Sequence, residues 1–360
     1  MRREWLRVVG VVAALCVVCG GAGTEARGQY SRRTPIVEAV QKTRAGIVAV
    51  KAERKSSWGR KETGGTGVIV DERGYVVTNH HVVASADRVT VHLADGAELA
   101  AAVVAEDAAH DLAVLRLSTT RKLQALPFGT SSDLMVGETV IAVGHPFGYT
   151  NSVSTGIVSG LGREVTMPSG DALRDLIQTN ASINPGNSGG PLLNINGELI
   201  GLTVAIRDGA QGIAFALSAD EVQHALSKHL SAAKVAGVRH GLSVAERALQ
   251  EGGPQRLRAV VESASGAAAG AGLRRGDAVL SLGDRTICNR LDVERAVWDC
   301  KAGQKVKVTV LRDGKELALT LTLEKAPEAE RTVTKQDESA RSAPATAKAS
   351  GFGPPRKPKK

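Results

Sequence analysis

The chain has 360 residues, enough for two domains with cores of their own. Aromatic residues make up only 3% while Gly, Ala and Val abound, which suits small-residue β cores and tight turns. The net charge of +9 looks like a nucleic-acid signal, but eight Lys/Arg against two Asp/Glu in residues 331–360, and four against two in residues 1–28, account for eight of the nine charges. The body is near neutral, so no nucleic-acid partner is expected.

Residues 1–29 read as an export signal. Arg2, Arg3 and Arg7 make a basic start, and Val8 to Val18 is an apolar run suited to a signal core and short for a membrane span. Gly20-Gly21-Ala22 and Thr24-Glu25-Ala26 offer small residues for cleavage. Cys16 and Cys19 raise a lipoprotein reading, but Leu15 and Val18 stand before them where a small residue is needed. An uncleaved leader acting as an anchor is the alternative. Cleavage leaves Cys288 and Cys300, which is not the disulfide framework of a small secreted domain. These two bracket a predicted helix and are not expected to pair, since such a helix holds their Cα atoms too far apart.

Residues 30–45 carry a short helical pattern (Ile36, Val37, Val40), and Gly46 to Val50 reads as the first strand. Residues 52–64 read as a charged loop carrying Trp58. Gly67 to Val70 and Tyr75 to Val77 flank the turn Asp71-Glu72-Arg73-Gly74, a hairpin signal. Thr78-Asn79-His80-His81-Val82-Val83 follows, and His110-Asp111 opens the apolar strand Leu112 to Leu115. Short strands continue to about Ile206, as small β-barrels require. Within Gln178 to Asn194 lies Gly186-Asn187-Ser188-Gly189-Gly190, entered by the apolar Leu176-Ile177 and followed by Pro191-Leu192-Leu193. The glycines leave room for a substrate carbonyl against bare backbone, with the Gly186 and Ser188 amides aimed at one point. A serine hydroxyl is a weak nucleophile that needs a base and an orienting group.

The order His, Asp, Ser in these contexts resembles the trypsin-like serine proteases, and within them the HtrA (DegP-like) family, which carries TNxHV, DxAV and GNSGG. The resemblance continues through Gly144-His145-Pro146-Phe147-Gly148, Thr155 to Ser159 and Gly212 to Ala216, and covers roughly residues 35 to 325. It implies a mostly β protein, with a two-barrel chymotrypsin-like protease domain at 30–234. His81 is then the general base, Asp111 its orienter and Ser188 the nucleophile, with Gly186, Asn187 and Ser188 forming the oxyanion hole. Ser182, six residues before the nucleophile, would lie at the base of the specificity pocket, with Ile183, Thr203 and Ala205 around it. No acid stands there, so cleavage after Val, Ile, Ala or Leu is expected. Asn187, before the nucleophile, is uncharged and cannot pair with a freed amino terminus, so activation by such a cut is not expected.

Residues 218–232 have helical spacing, with Ser218 as cap and Glu221 three residues on. From about 237 the pattern changes. Lys305 to Leu311 and Glu316 to Leu323 alternate around Asp313-Gly314, a strong hairpin. With Gly266 to Asp277 before it, this resembles one PDZ domain of the HtrA type, placed at 235–326. Peptide C-termini would bind at Gly241, Leu242 and Ser243, beside a helix starting at the Asn289 cap and carrying Val293 and Val297. Residues 327–360 should be a disordered basic tail.

His80, His145 and Asn180 depart from the family's usual residues, but none removes a triad member. His80 and His110 invite a metal site, yet adjacent strand residues point to opposite faces; no metal and no cofactor are expected. The resemblance implies an exported, periplasmic or cell-envelope serine endopeptidase of protein quality control that cuts unfolded or damaged proteins, assembled as a homotrimer or higher multiple. The basic tail or an uncleaved leader offers weak membrane association. The alternatives are a chaperone or peptide-binding scaffold and a PDZ-gated, site-specific stress sensor.

Overall fold

The computed structural model describes residues 32–56, 59–145, 152–166, 172–184, 186–206, 212–249 and 256–331. The predicted leader and the predicted tail beyond residue 331 lie outside the described residues. Helix α1 (Pro35–Thr43) turns its buried face, Ala39 and Thr43, to the protein, and the Thr43 hydroxyl donates back to the Ala39 carbonyl at 2.8 Å.

A first closed barrel follows, in strand order β1-β2-β3-β6-β5-β4. Its strands are β1 (Ile47–Ser56), β2 (Gly59–Asp71), β3 (Tyr75–Thr78), β4 (Arg88–His92), β5 (Glu98–Asp107) and β6 (Leu112–Leu117). Val48, Val50, Ile69, Val76, Val91 and Leu115 fill it. Each such side chain contributes roughly 1.5–3 kcal/mol by leaving water. The expected loop at 52–64 is instead the end of a long hairpin, in register out to Ser56 against Gly59. Its charges hid the strand. Glu53 and Arg60 pair across the ribbon at 3.4 Å, while the neighbouring Ala52 is fully buried and β1 still pairs with β4 there.

A second closed barrel has the order β10-β11-β12-β9-β8-β7. It is built from β7 (Thr139–Gly144), β8 (Ser152–Thr166), β9 (Ala172–Thr179), β10 (Pro191–Leu193), β11 (Leu199–Ile206) and β12 (Ala214–Ser218). Val140, Val158, Ile177, Leu192, Ile200 and Ala216 form its core. Helix α3 (Ala219–His229) leaves it, with the Ser218 hydroxyl accepting from the Glu221 amide as the spacing predicts.

The chain then turns through α4 (Ala232–Ala236) into a small sheet unit. Strands β14 (Leu242–Leu249), β15 (Arg256–Ala264), β16 (Ala278–Leu282), β18 (Lys305–Arg312) and β19 (Lys315–Thr322) lie side by side in that order. β13 (Val238–Arg239) pairs with β20 (Glu324–Lys325), and β17 (Arg285–Thr286) with β16. The β18–β19 turn at Asp313 and Gly314 has positive φ at both residues, as a two-residue hairpin needs. Helix α6 (Arg290–Arg295) is capped by Asn289, whose side chain accepts from the Asp292 amide at 2.9 Å. Cys288 and Cys300, on either side of it, are not joined by a disulfide.

This unit is fastened to the first barrel around Trp298, which is 5% exposed and donates to the Leu230 carbonyl at 3.0 Å. Its ring lies 5.0 Å from Tyr75 and under the Arg73 guanidinium. Beside it the buried Arg295 donates to the Val70 carbonyl and faces Asp71 at 3.5 Å, while Arg73 bridges Asp71 and Asp299. Burial pushes Asp71 upward, but the hydrogen bonds and charge of Arg73, with the charge of Arg295, outweigh it and hold the carboxyl below its ordinary range.

Candidate active site

His81 and Asp111 are brought together by the end of β3 and the start of β6. β3 pairs with β6 from Tyr75 to Thr78, which sets the short helix α2 (His80–Val83) against the β5–β6 corner. Asp111 takes a left-handed conformation (φ 50°), which Asp tolerates better than most residues. That turn aims both its carbonyl and its carboxylate at α2. The carbonyl accepts from the His80 amide at 3.0 Å and from Asn79 Nδ2 at 2.9 Å. One carboxylate oxygen accepts from the His81 amide at 2.9 Å and the other lies 2.7 Å from His81 Nδ1. Asp111 is buried while the His81 ring is 45% exposed, leaving its far nitrogen open to a partner. The expectation that His80 and His110 sit on strands is corrected. His80 is on the helical turn, 3.7 Å from Glu106, and His110 is in a single 3₁₀ turn, 3.0 Å from Asp107.

The loop that carries Ser188 is held from both barrels. From the first, the Thr66 amide donates to the Ser188 carbonyl at 2.9 Å and the Thr66 hydroxyl to the Gly186 carbonyl at 2.7 Å. The Thr66 hydroxyl accepts in turn from the His145 amide. From the second, the Thr203 hydroxyl lies 2.6 Å from the Asn187 carbonyl. Glycines permit the approach. A methyl on Gly189, whose φ is +80°, would strike the Thr66 carbonyl and the Thr78 hydroxyl, and one on Gly65 would strike Val82. Among the described residues, no acceptor meets the amides of Gly186 and Ser188, and no hydrogen bond joins the Ser188 hydroxyl to His81. The Asn187 amide differs from expectation: it donates to the Asn184 carbonyl at 2.9 Å and is not free for an oxyanion.

The predicted pocket is not assembled as a set. Ser182 is exposed and its carbonyl accepts from the Ser154 hydroxyl. Ile183 belongs to the core of the second barrel, and the Thr203 hydroxyl is turned to the Asn187 carbonyl of the Ser188 loop. The side chain of Ala205 lies outside the described residues. Thr66, Asn79 and Thr203 were not assigned these roles from the sequence. The glycines on either side of Thr66, Gly65 and Gly67, were the available signal of close packing.

Residues 65–202 match the family model of the trypsin-like peptidase domain, and residues 241–323 that of the PDZ domain. A serine protease Do-like HtrA of Bacillus subtilis is 36% identical over 331 residues, covering 83% of this chain and 74% of that protein. The chain belongs to the HtrA family of serine proteases. A probable periplasmic serine endoprotease DegP-like of Pseudomonas putida is 39% identical over 276 residues, covering 73% of this chain and 56% of that protein. Protease Do-like 1, chloroplastic, of Arabidopsis thaliana is 36% identical over 281 residues, covering 73% and 64%. The chain thus spans under two thirds of the length of these last two relatives. A solved HtrA-type protease AlgW with tripeptide is 31% identical, with 82% of this chain and 98% of that chain covered and a TM-score of 0.49.

In this HtrA-family chain the PDZ turn is already engaged. Gly241 has a φ of 77°, and its carbonyl accepts from the Ser265 amide at 2.8 Å. The Leu242 amide donates to His240 Nδ1 at 3.1 Å, while His240 Nε2 lies 3.2 Å from Glu294. The other Glu294 oxygen accepts from the Ala232 amide at 2.6 Å. Ser243 is exposed, and Gly241, Leu242, Ser243, Lys234 and Glu294 line a cleft of about 450 Å³. Val293 and Val297 do not line it: they are 1% and 0% exposed, in the core beneath α6. Residues four apart share one helix face, and here that face is the inner one, so Glu294 meets the cleft instead.

Proposed function

We propose that this chain is an exported serine endopeptidase of protein quality control, with Ser188 as nucleophile, His81 as general base and Asp111 as its orienter. The observation that carries this reading is the 2.7 Å His81–Asp111 contact on the barrel that also grips the Ser188 loop through Thr66. Ser188 Oγ attacks the scissile carbonyl and its proton passes to His81 Nε2. Asp111 holds Nδ1–H and so sets the tautomer that accepts there. The amides of Gly186 and Ser188 receive the oxyanion. The tetrahedral intermediate collapses, His81 returns the proton to the leaving amine, and water releases the acyl group by the same steps.

The substrates are unfolded or damaged proteins, cut after small apolar residues, with C-terminal segments held along β14. That strand is at the sheet's edge, where a peptide adds as a further strand. Export to the periplasm or cell envelope is supported by the leader and by the names of the DegP-like relatives, and assembly as a homotrimer by the family resemblance. Among the described residues no helix is long and apolar enough to cross a membrane. A regulatory, PDZ-gated variant of this activity is favoured by one observation: Arg295, at the end of the PDZ helix, and Trp298, just beyond it, are built into the first barrel's surface.

The test is incubation of the purified chain and its Ser188→Ala twin with an unfolded protein. Loss of a triad serine lowers turnover by about 10⁶, so the variant should yield no peptides while still folding and binding peptide. Substantial cleavage by the variant removes the assignment.

A further inference from the structure

We propose that Thr203 is a positioning residue for the oxyanion hole, its hydroxyl setting the Asn187–Ser188 peptide plane so that the Ser188 N–H faces the substrate. The inference rests on the serine-protease reading of the same loop. A trans peptide is planar, with C=O and N–H pointing in opposite directions. The Asn187 carbonyl oxygen lies 2.6 Å from Thr203 Oγ1 and accepts from the Gly190 amide at 2.8 Å, so it is drawn toward β11. The Ser188 N–H therefore points away from β11, where no acceptor meets it among the described residues.

Among the described residues, the loop's own hold on this plane is the Gly190 amide, in a stretch flanked by Gly186 and Gly189 at φ +100° and +80°. The second hold comes from β11. Thr203 is 1% exposed, and its backbone binds the loop twice more, through its amide to the Gly190 carbonyl and its carbonyl from the Gly189 amide. β11 carries an irregularity between Thr203 and Ala205, and Leu202 and Val204 pack in the core while Thr203 between them faces the loop. Thr66 pins the carbonyls on either side, those of Gly186 and Ser188, from the opposite barrel. The Asn187–Ser188 plane is then the part of the loop left for Thr203 to set. A flipped plane would place the Asn187 carbonyl where the oxyanion must sit.

The experiment compares Thr203→Val, Thr203→Ser and Thr203→Cys with the unmodified chain on a peptide substrate, with Ser188→Ala as the baseline. Losing an oxyanion donor outright costs about 10²–10³ in kcat. The Gly190 amide still holds the carbonyl in Thr203→Val, so the expected loss is roughly 10–100-fold in kcat with KM little changed. Thr203→Ser should restore most of it. Thr203→Cys, with its weak donor, should show the same loss and serves if Thr203→Val does not fold. A crystal structure of the folded variant should show the Asn187–Ser188 plane rotated or in two orientations. Full kcat in a variant lacking the hydroxyl, a change in KM alone, or failure of Thr203→Ser to recover overturns the inference. If the unmodified chain and Ser188→Ala cleave alike, the nucleophile reading falls by itself. The crystal structure then decides on Thr203, and an unmoved plane overturns its role.

Discussion

Truncating Asp71 to alanine should destabilise the whole assembly of barrels and PDZ domain. Asp71 is 2% exposed at its side chain and accepts from Arg73 three times, from the amide at 3.0 Å, Nε at 2.8 Å and Nη2 at 3.0 Å. It also faces the buried Arg295 at 3.5 Å. Asp71→Ala leaves Arg295, itself 9% exposed, with Asp292 at 3.6 Å as its remaining carboxylate. Breaking a buried pair from one side costs about 3–5 kcal/mol, because the other charge stays desolvated. Arg73 keeps Asp299, but that acid is 84% exposed, and such a pair contributes about 0–1 kcal/mol. The expected loss is therefore about 3 kcal/mol or more, a large share of the roughly 5–15 kcal/mol of a folded domain. Equilibrium unfolding in urea, followed by fluorescence and circular dichroism, measures it. The double variant Asp71→Ala/Arg295→Met should recover more than half of the loss, since the buried guanidinium is removed together with its acid and Asp292 keeps its bonds with the Cys288 amide and the Asn289 cap. A loss below about 1 kcal/mol, or no recovery in the double variant, would refute the reasoning.

Gly189→Ala should cost about 1–2 kcal/mol for the left-handed backbone alone, and the added methyl meets the Thr66 carbonyl and Thr78 hydroxyl. Activity on a peptide substrate should fall at least 10²-fold as the oxyanion donors shift; a fully active variant contradicts the close packing. Burial, aided by the charge of His92, holds the His145 pKa at about 4 instead of 6.5. The unfolded chain takes up that proton between these values and the folded chain does not, so stability should drop by about 1.4 kcal/mol per pH unit from pH 6.5 down to 4. His145→Asn should flatten that limb in urea midpoints, and an unchanged slope would mean the ring reaches water. Sequencing the products of an unfolded substrate should show Val, Ile, Ala or Leu before the cut, because a cation there would be desolvated without a partner. Dominance of Lys or Arg would overturn that preference.

The residues proposed to carry the chemistry were chosen from the sequence because each needs a local pattern. Ser188 needs flanking glycines for bare backbone, His81 a strand end followed by a turn, and the helices a Ser218 or Asn289 cap, which both took the predicted bonds. Alternation likewise announced the β18–β19 hairpin. Where charge masked the alternation, as at 52–64, the reading failed, since the solvent face of a ribbon has the composition of a loop. The tertiary structure alone decided which groups meet across distance. Thr66 and Gly186 are 120 residues apart, and Arg295 and Val70 are 225 apart, with no local signal for either bond. It also decided direction. Thr203 turned to the nucleophile loop, and Val293 and Val297 turned to the core, because a periodic pattern shows that a face is apolar but not which neighbour it packs against. That choice depends on how the two barrels and the sheet close on one another, and only the folded chain supplies it.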